Sequence, residues 1–236
     1  RHSFPTRRSS DLLIGIRRIE VVEAMTSESI EKILLVVLGW LLGLLAPVIV
    51  DAIKRRRENE LGRIAIRAEL LDLAHKLALA SHYIHMHQGT VDKTNLSWLR
   101  RHLESYPALV DSQPVMNSVR MQLSMPDEEH AAFVRLTAAE PGRSIVLQKY
   151  PVPLLDARVS ALWSFDNTLQ RQLLDIRTRI ELLNDLVDRS RKYSDMTFGK
   201  LEGGNYDLVV QNIEQAYKEY ALSAEKVVDL VAQLER

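Results

Sequence analysis

Cysteine is absent from the 236 residues, which excludes disulfides, thiolate zinc sites, iron–sulfur clusters and a cysteine nucleophile. Glycine and proline are scarce, at 9 and 8 residues, and aromatic side chains make up 6%. A β-sandwich or barrel needs turn residues about every ten positions, so this composition points to helices. Neither sign of charge dominates, since 31 Lys and Arg face 31 Asp and Glu. The chain therefore projects no broad basic field, and nucleic acid is not an expected partner. Also missing are the phosphate loop G-x-x-x-x-G-K-[ST], the dinucleotide fingerprint G-x-G-x-x-G, H-E-x-x-H and G-x-S-x-G. NTPase, dehydrogenase, zinc protease and hydrolase readings lose support accordingly. No catalytic residue and no cofactor is indicated, and an enzyme is the less favoured expectation.

What is present begins with one apolar run. Residues 33–50 read ILLVVLGWLLGLLAPVIV, with no charged or strongly polar side chain. At about 1.5 Å rise per residue the run reaches roughly 27 Å, close to the hydrocarbon thickness of a bilayer. With Ile30 and Ala52-Ile53 added, a transmembrane helix is predicted over 30–53. An internal helix of a soluble protein keeps some polar face. A cleaved signal peptide has a shorter apolar core, with its basic residues ahead of it. Here the basic cluster Lys54, Arg55, Arg56 and Arg57 comes after the run, against Lys32 before it. The positive-inside rule then places the C-terminal part in the cytoplasm, in a single-pass protein of an inner or plasma membrane. Long basic side chains at that position reach lipid headgroups, so membrane lipid is an expected partner. Gly39 and Gly43 form G-x-x-x-G, a spacing that lets two helices approach closely in lipid. Pro47 lacks an N–H and is expected to bend or loosen the helix.

Ahead of the run, residues 2–12 read HSFPTRRSSDL, which resembles the translation of a widely used sequencing adapter. The resemblance implies that residues 1–24 are artefact or untranslated read-through, and that Met25 is the natural start.

Beyond the basic cluster, Ile66, Leu70, Leu73, Leu77, Ala80 and Ile84 alternate in steps of four and three, as in a helix seam. A juxtamembrane helix continuing into a bundle is predicted over 54–88, stopped at Gly89-Thr90. Residues 89–153 read as shorter helices and loops, including 96–106 and 126–139, with Ser124 as a cap. Tyr150-Pro151-Val152-Pro153 reads as non-helical. The four-three alternation then runs from Leu155 through Asp166 to Ser190. After a turn at Gly199 and Gly203-Gly204 it resumes from Val209 to Leu234. Residues 154–236 are thus predicted as two long antiparallel helices. The expected fold class is all-α: one N-terminal transmembrane helix, then a cytoplasmic long-helix bundle with an antiparallel coiled-coil-like hairpin.

One cluster suits chemistry. On a helix, His75, His82 and His85 share a flank turned away from the Ile66–Ile84 seam. Imidazoles so spaced suit zinc, iron or haem, with Asp72 as a further ligand, although no facing Glu-x-x-His pair exists. Away from the seam, simple solvent exposure is the competing expectation. Asp166 at a seam position is costly unless paired, and a register or salt-bridge role is expected of it. Trp98, Trp163, Phe165, Tyr217 and Tyr220 read as core anchors. Exposed heptad edges suit partner helices, so the expected role is an interaction or scaffold protein with a protein partner or self-association. A membrane-tethered sensor or relay is the alternative, and a metal-dependent enzyme ranks third.

Overall fold

A computed structural model describes residues 10–106, 113–140, 143–199 and 205–234, with side chains from Ser29 onward. The expectation for residues 1–24 falls largely outside the described side chains. No strand occurs among the described residues. The chain divides into two compact units, 1–58 and 59–236. A single helix, α1 (Ser10–His87), contributes to both.

In the first unit every described side chain is exposed, the apolar run included. This helix is long and apolar enough to cross a membrane. A Cβ added at Gly39 or Gly43 meets nothing within 4 Å. Pro47 lies inside the helix, which continues through it.

The second unit is a helical bundle built on three long elements: the latter part of α1, α6 (Asn167–Thr197) and α7 (Asn205–Gln233). Arg189 of α6 pairs with Glu219 of α7 at 3.6 Å, while Leu169 and Leu173 share a small cleft with Leu234. The two helices therefore run in opposite directions. Ile66 joins that cleft, and at the far end of α1 the Gln88 amide donates to the Glu214 carbonyl at 2.9 Å. Thus α1 runs antiparallel to α7. Ile66, Leu70 and Leu77 of α1 meet Ile176, Leu183 and Val187 of α6 and Tyr217, Tyr220 and Ala224 of α7 in one buried core. Each fully buried leucine or isoleucine stabilises the fold by about 2 kcal/mol. α7 buries two adjoining stripes, since Ala216, Tyr217, Tyr220, Ala221, Ala224, Val227 and Val228 are all covered. A helix packed against one neighbour would bury only the narrower seam.

Shorter elements dress this core. α1 ends where Gly89 takes φ 62°, a left-handed conformation that costs glycine little, and the Thr90 N–H bonds back to the His85 carbonyl at 2.9 Å. α2 (Lys93–Ser105) opens with a capping box between Asp92 and Asn95. α3 (Gln113–Ser124) and α4 (Asp127–Thr137) follow. Ser124 does not cap α4, because its hydroxyl donates to the Met121 carbonyl within α3, at 2.7 Å. Instead Asp127, Glu128 and Glu129 fill the first turn of α4, where carboxylates favour the helix dipole.

The long seam predicted from Leu155 is interrupted. Pro153 opens a six-residue helix, α5 (Pro153–Arg158), at a position where its missing N–H costs nothing. A 3-10 helix (Val159–Ser164) follows, and α6 starts only at Asn167. Asp166 lies outside the core as the cap of α6, accepting from the Thr168 and Leu169 N–H groups at 3.1 and 2.9 Å. The spacing survives the break because Leu155 and Leu162 still reach the core from different elements. Trp163, read as an anchor, is 72% exposed on the 3-10 helix. Tyr217 and Tyr220 are buried as expected.

Between α4 and α5 the chain crosses the bundle in extended form, and side chains satisfy its backbone. The Tyr217 hydroxyl accepts from the Ile145 N–H at 3.0 Å and donates to the Ile145 carbonyl at 2.8 Å. Asn184 does the same for Tyr150, at 3.0 and 3.2 Å. Glu69 of α1 accepts from the Leu154 and Leu155 N–H groups, both at 2.9 Å, and so pins the start of α5. Glu69→Ala should therefore destabilise the bundle by about 1–2 kcal/mol, with Glu69→Gln recovering part of it. Urea midpoints of the two variants measure this, and an unchanged Ala midpoint would refute the pinning role.

Candidate functional site

A cavity of the second unit lies where α1 ends. It holds about 620 Å³ and is partly open to solvent. His85 and His87 come from the last turn of α1, Arg143 from the crossing segment, and Val210, Tyr217 and Lys218 from α7. Sequence reasoning missed it, because these residues stand far apart in the chain and belong to no motif.

Behind His85 lies a polar network. Glu225 Oε1 accepts from the Ser81 hydroxyl at 2.8 Å and contacts His85 Nε2 at 3.0 Å. Burial alone would raise the Glu225 pKa, but hydrogen bonds from His85 and Ser81 outweigh it and leave the carboxyl below its ordinary range. An ionised Glu225 accepts from His85 Nε2, and the Thr90 hydroxyl lies 3.0 Å from His85 Nδ1. His87 stands edge-on to Tyr217, with ring centroids 5.9 Å apart, and its Nε2 is buried without a hydrogen-bond partner.

The four residues considered for metal binding go to separate places. Asp72 pairs with Lys76 on the surface, one turn along α1. His75 sits beside His102 of α2, ring centroids 6.2 Å apart. His82 is buried next to Tyr83, and His85 faces Glu225. Among the described residues no three histidine or acidic side chains form a group able to hold a metal ion.

The expected exposure of this flank also needs correction. His75 is 8% exposed and His82 6%, while Ser81 is fully buried. α2 covers the His75 side and α7 the Ser81 side, so the last turns of α1 are enclosed on more than the seam face. Burial lowers the His75 pKa, with Asp72 opposing and Lys76 assisting. Burial and then the His85 charge bring His82 down to about 4. His102 also falls to about 4, through burial and then His75, against the pull of Asp229. Trp98 stacks on His102 and donates through Nε1 to Asp229 at 2.9 Å, tying α2 to α7.

Two surface features complete the inventory. Lys54, Arg55, Arg56 and Arg57 are exposed immediately after the apolar run. At the junction of α6 and α7, Phe198 is 90% exposed, and Met196, Tyr206 and Leu208 are exposed beside it in sequence. The turn glycines Gly203 and Gly204 lie outside the described residues.

No known protein family, curated protein or solved structure matches the chain. Fold and site together define an all-helical protein with a helical bundle and one helix long and apolar enough to cross a membrane.

Proposed function

We propose that the chain is a single-pass protein of an inner or plasma membrane whose cytoplasmic bundle docks a partner protein through its coiled-coil-like hairpin. The observation that carries this is the apolar tip, where Phe198, Tyr206 and Leu208 are exposed at the adjoining ends of α6 and α7. Large apolar side chains so exposed favour contact with the apolar face of a partner helix. The uncovered run at 33–50 and the basic cluster Lys54–Arg57 behind it support the anchor and its orientation.

The test is in-cell cross-linking followed by mild-detergent purification of the full chain. A stoichiometric partner should be recovered, and Phe198→Asp with Leu208→Asp should cut that recovery about tenfold at unchanged chain abundance. Equal recovery from the variant defeats the docking role of the tip. A relay is the second reading, favoured by the single helix from Ser10 to His87 that carries the apolar run and then enters the bundle. It differs in predicting that Pro47→Leu alone changes partner recovery without changing abundance.

A further inference from the structure

We propose that the cavity at the end of α1 binds a small organic anion, a single carboxylate or phosphate on an apolar or aromatic body. The cavity adjoins the tip, since Phe198 and Tyr206 also line it, but the anion site rests on Arg143 and Lys218 and is read by binding rather than by partner recovery. Its volume of about 620 Å³ matches sites for small molecules, which run from about 300 to 1,000 Å³. Arg143 and Lys218 both line it, and among the described residues neither makes an ion pair. A guanidinium presents a fork of donors that fits carboxylate or phosphate oxygens, and a lysine adds a mobile point charge.

His87 also lines the cavity, but its Nε2 has no accessible surface and lies out of a ligand's reach, so the ring acts as wall. His85 has both ring nitrogens engaged, by Glu225 and Thr90, and is likewise a fixed part of the wall. Val210, Ile213 and Tyr217 provide the surface for an apolar body.

Two lining carboxylates, Glu140 and Glu214, set the limit on charge. They oppose additional negative groups, so the ligand carries one anionic group and not several.

The experiment is calorimetric titration of the full chain in phosphatidylcholine nanodiscs, with benzoate and phenyl phosphate as probes. Benzyl alcohol and benzylamine serve as ring-matched controls. One site per chain with a Kd of about 1 mM or tighter is expected for at least one of the two anions. Arg143→Gln and Lys218→Gln should each weaken it about tenfold. Val210→Trp, which fills the cavity, should abolish binding with the helical circular dichroism intact. Should that variant fail to fold, the exposed Arg143 substitution still decides the matter. The proposal is overturned if benzylamine or benzyl alcohol binds as well as the anions. It is equally overturned if Arg143→Gln leaves affinity unchanged, or if neither anion binds up to about 10 mM.

Discussion

Acidification from pH 7 to pH 5 is expected to destabilise the bundle by about 2 kcal/mol for each of two buried histidines. His82 and His102 are held neutral in the folded chain, with pKa values brought down to about 4, mainly by burial. In the unfolded chain each returns to about 6.5. Between those values the unfolded state binds the additional proton, so stability is full above about 6.5, falls as pH drops, and levels off below about 4. His75, lowered in the same direction, adds to the loss. Glu225 joins at lower pH, since its carboxyl is held below the ordinary range by His85 and Ser81 against the effect of burial. Urea unfolding of the full chain in nanodiscs, followed by circular dichroism at both pH values, measures the slope. His82→Leu combined with His102→Phe should flatten it. A wild-type midpoint that is the same at pH 7 and pH 5 would show that neither imidazole stays neutral in the fold.

Leu38→Arg with Leu42→Arg is expected to move the chain out of the carbonate-resistant membrane fraction. Both leucines are exposed within the apolar run, and an arginine near the middle of a span costs about 2.5–3.5 kcal/mol. Two of them approach the whole insertion energy of a single helix of this length. Leu61→Arg is the control: Leu61 is equally bare but lies beyond the basic cluster, so membrane association should persist. Retention of the double variant in the pellet would mean that something other than lipid covers this helix. It would also remove the basis for placing Lys54–Arg57 at a membrane surface.

The residues differ in how plainly they announce their roles. A scarcity of turn residues and an alternation in steps of three and four suffice for an all-helical chain, because both act within a few residues of sequence. Leu173, Ile176, Ile180, Leu183 and Val187 are buried on that pattern alone. Asp166 and Trp163 defeat it, because a periodic count does not register that a cap and a 3-10 turn interrupt the helix while Leu155 and Leu162 keep their spacing. The histidine flank fails for a different reason. Periodicity finds the face that packs best, but whether the opposite face meets water depends on α2 and α7, which arrive from elsewhere in the chain.

By itself, then, the sequence determined the helical class and an apolar segment long enough to cross a membrane, since hydrophobic period and run length are local quantities. Tertiary structure alone decided that His82 and His102 are buried, that Asp72 and His85 face different partners, and that Arg143 and Lys218 border one cavity. The reason is physical: desolvation, ion pairing and cavity shape are set by which distant helices pack together, and no spacing along one helix encodes that.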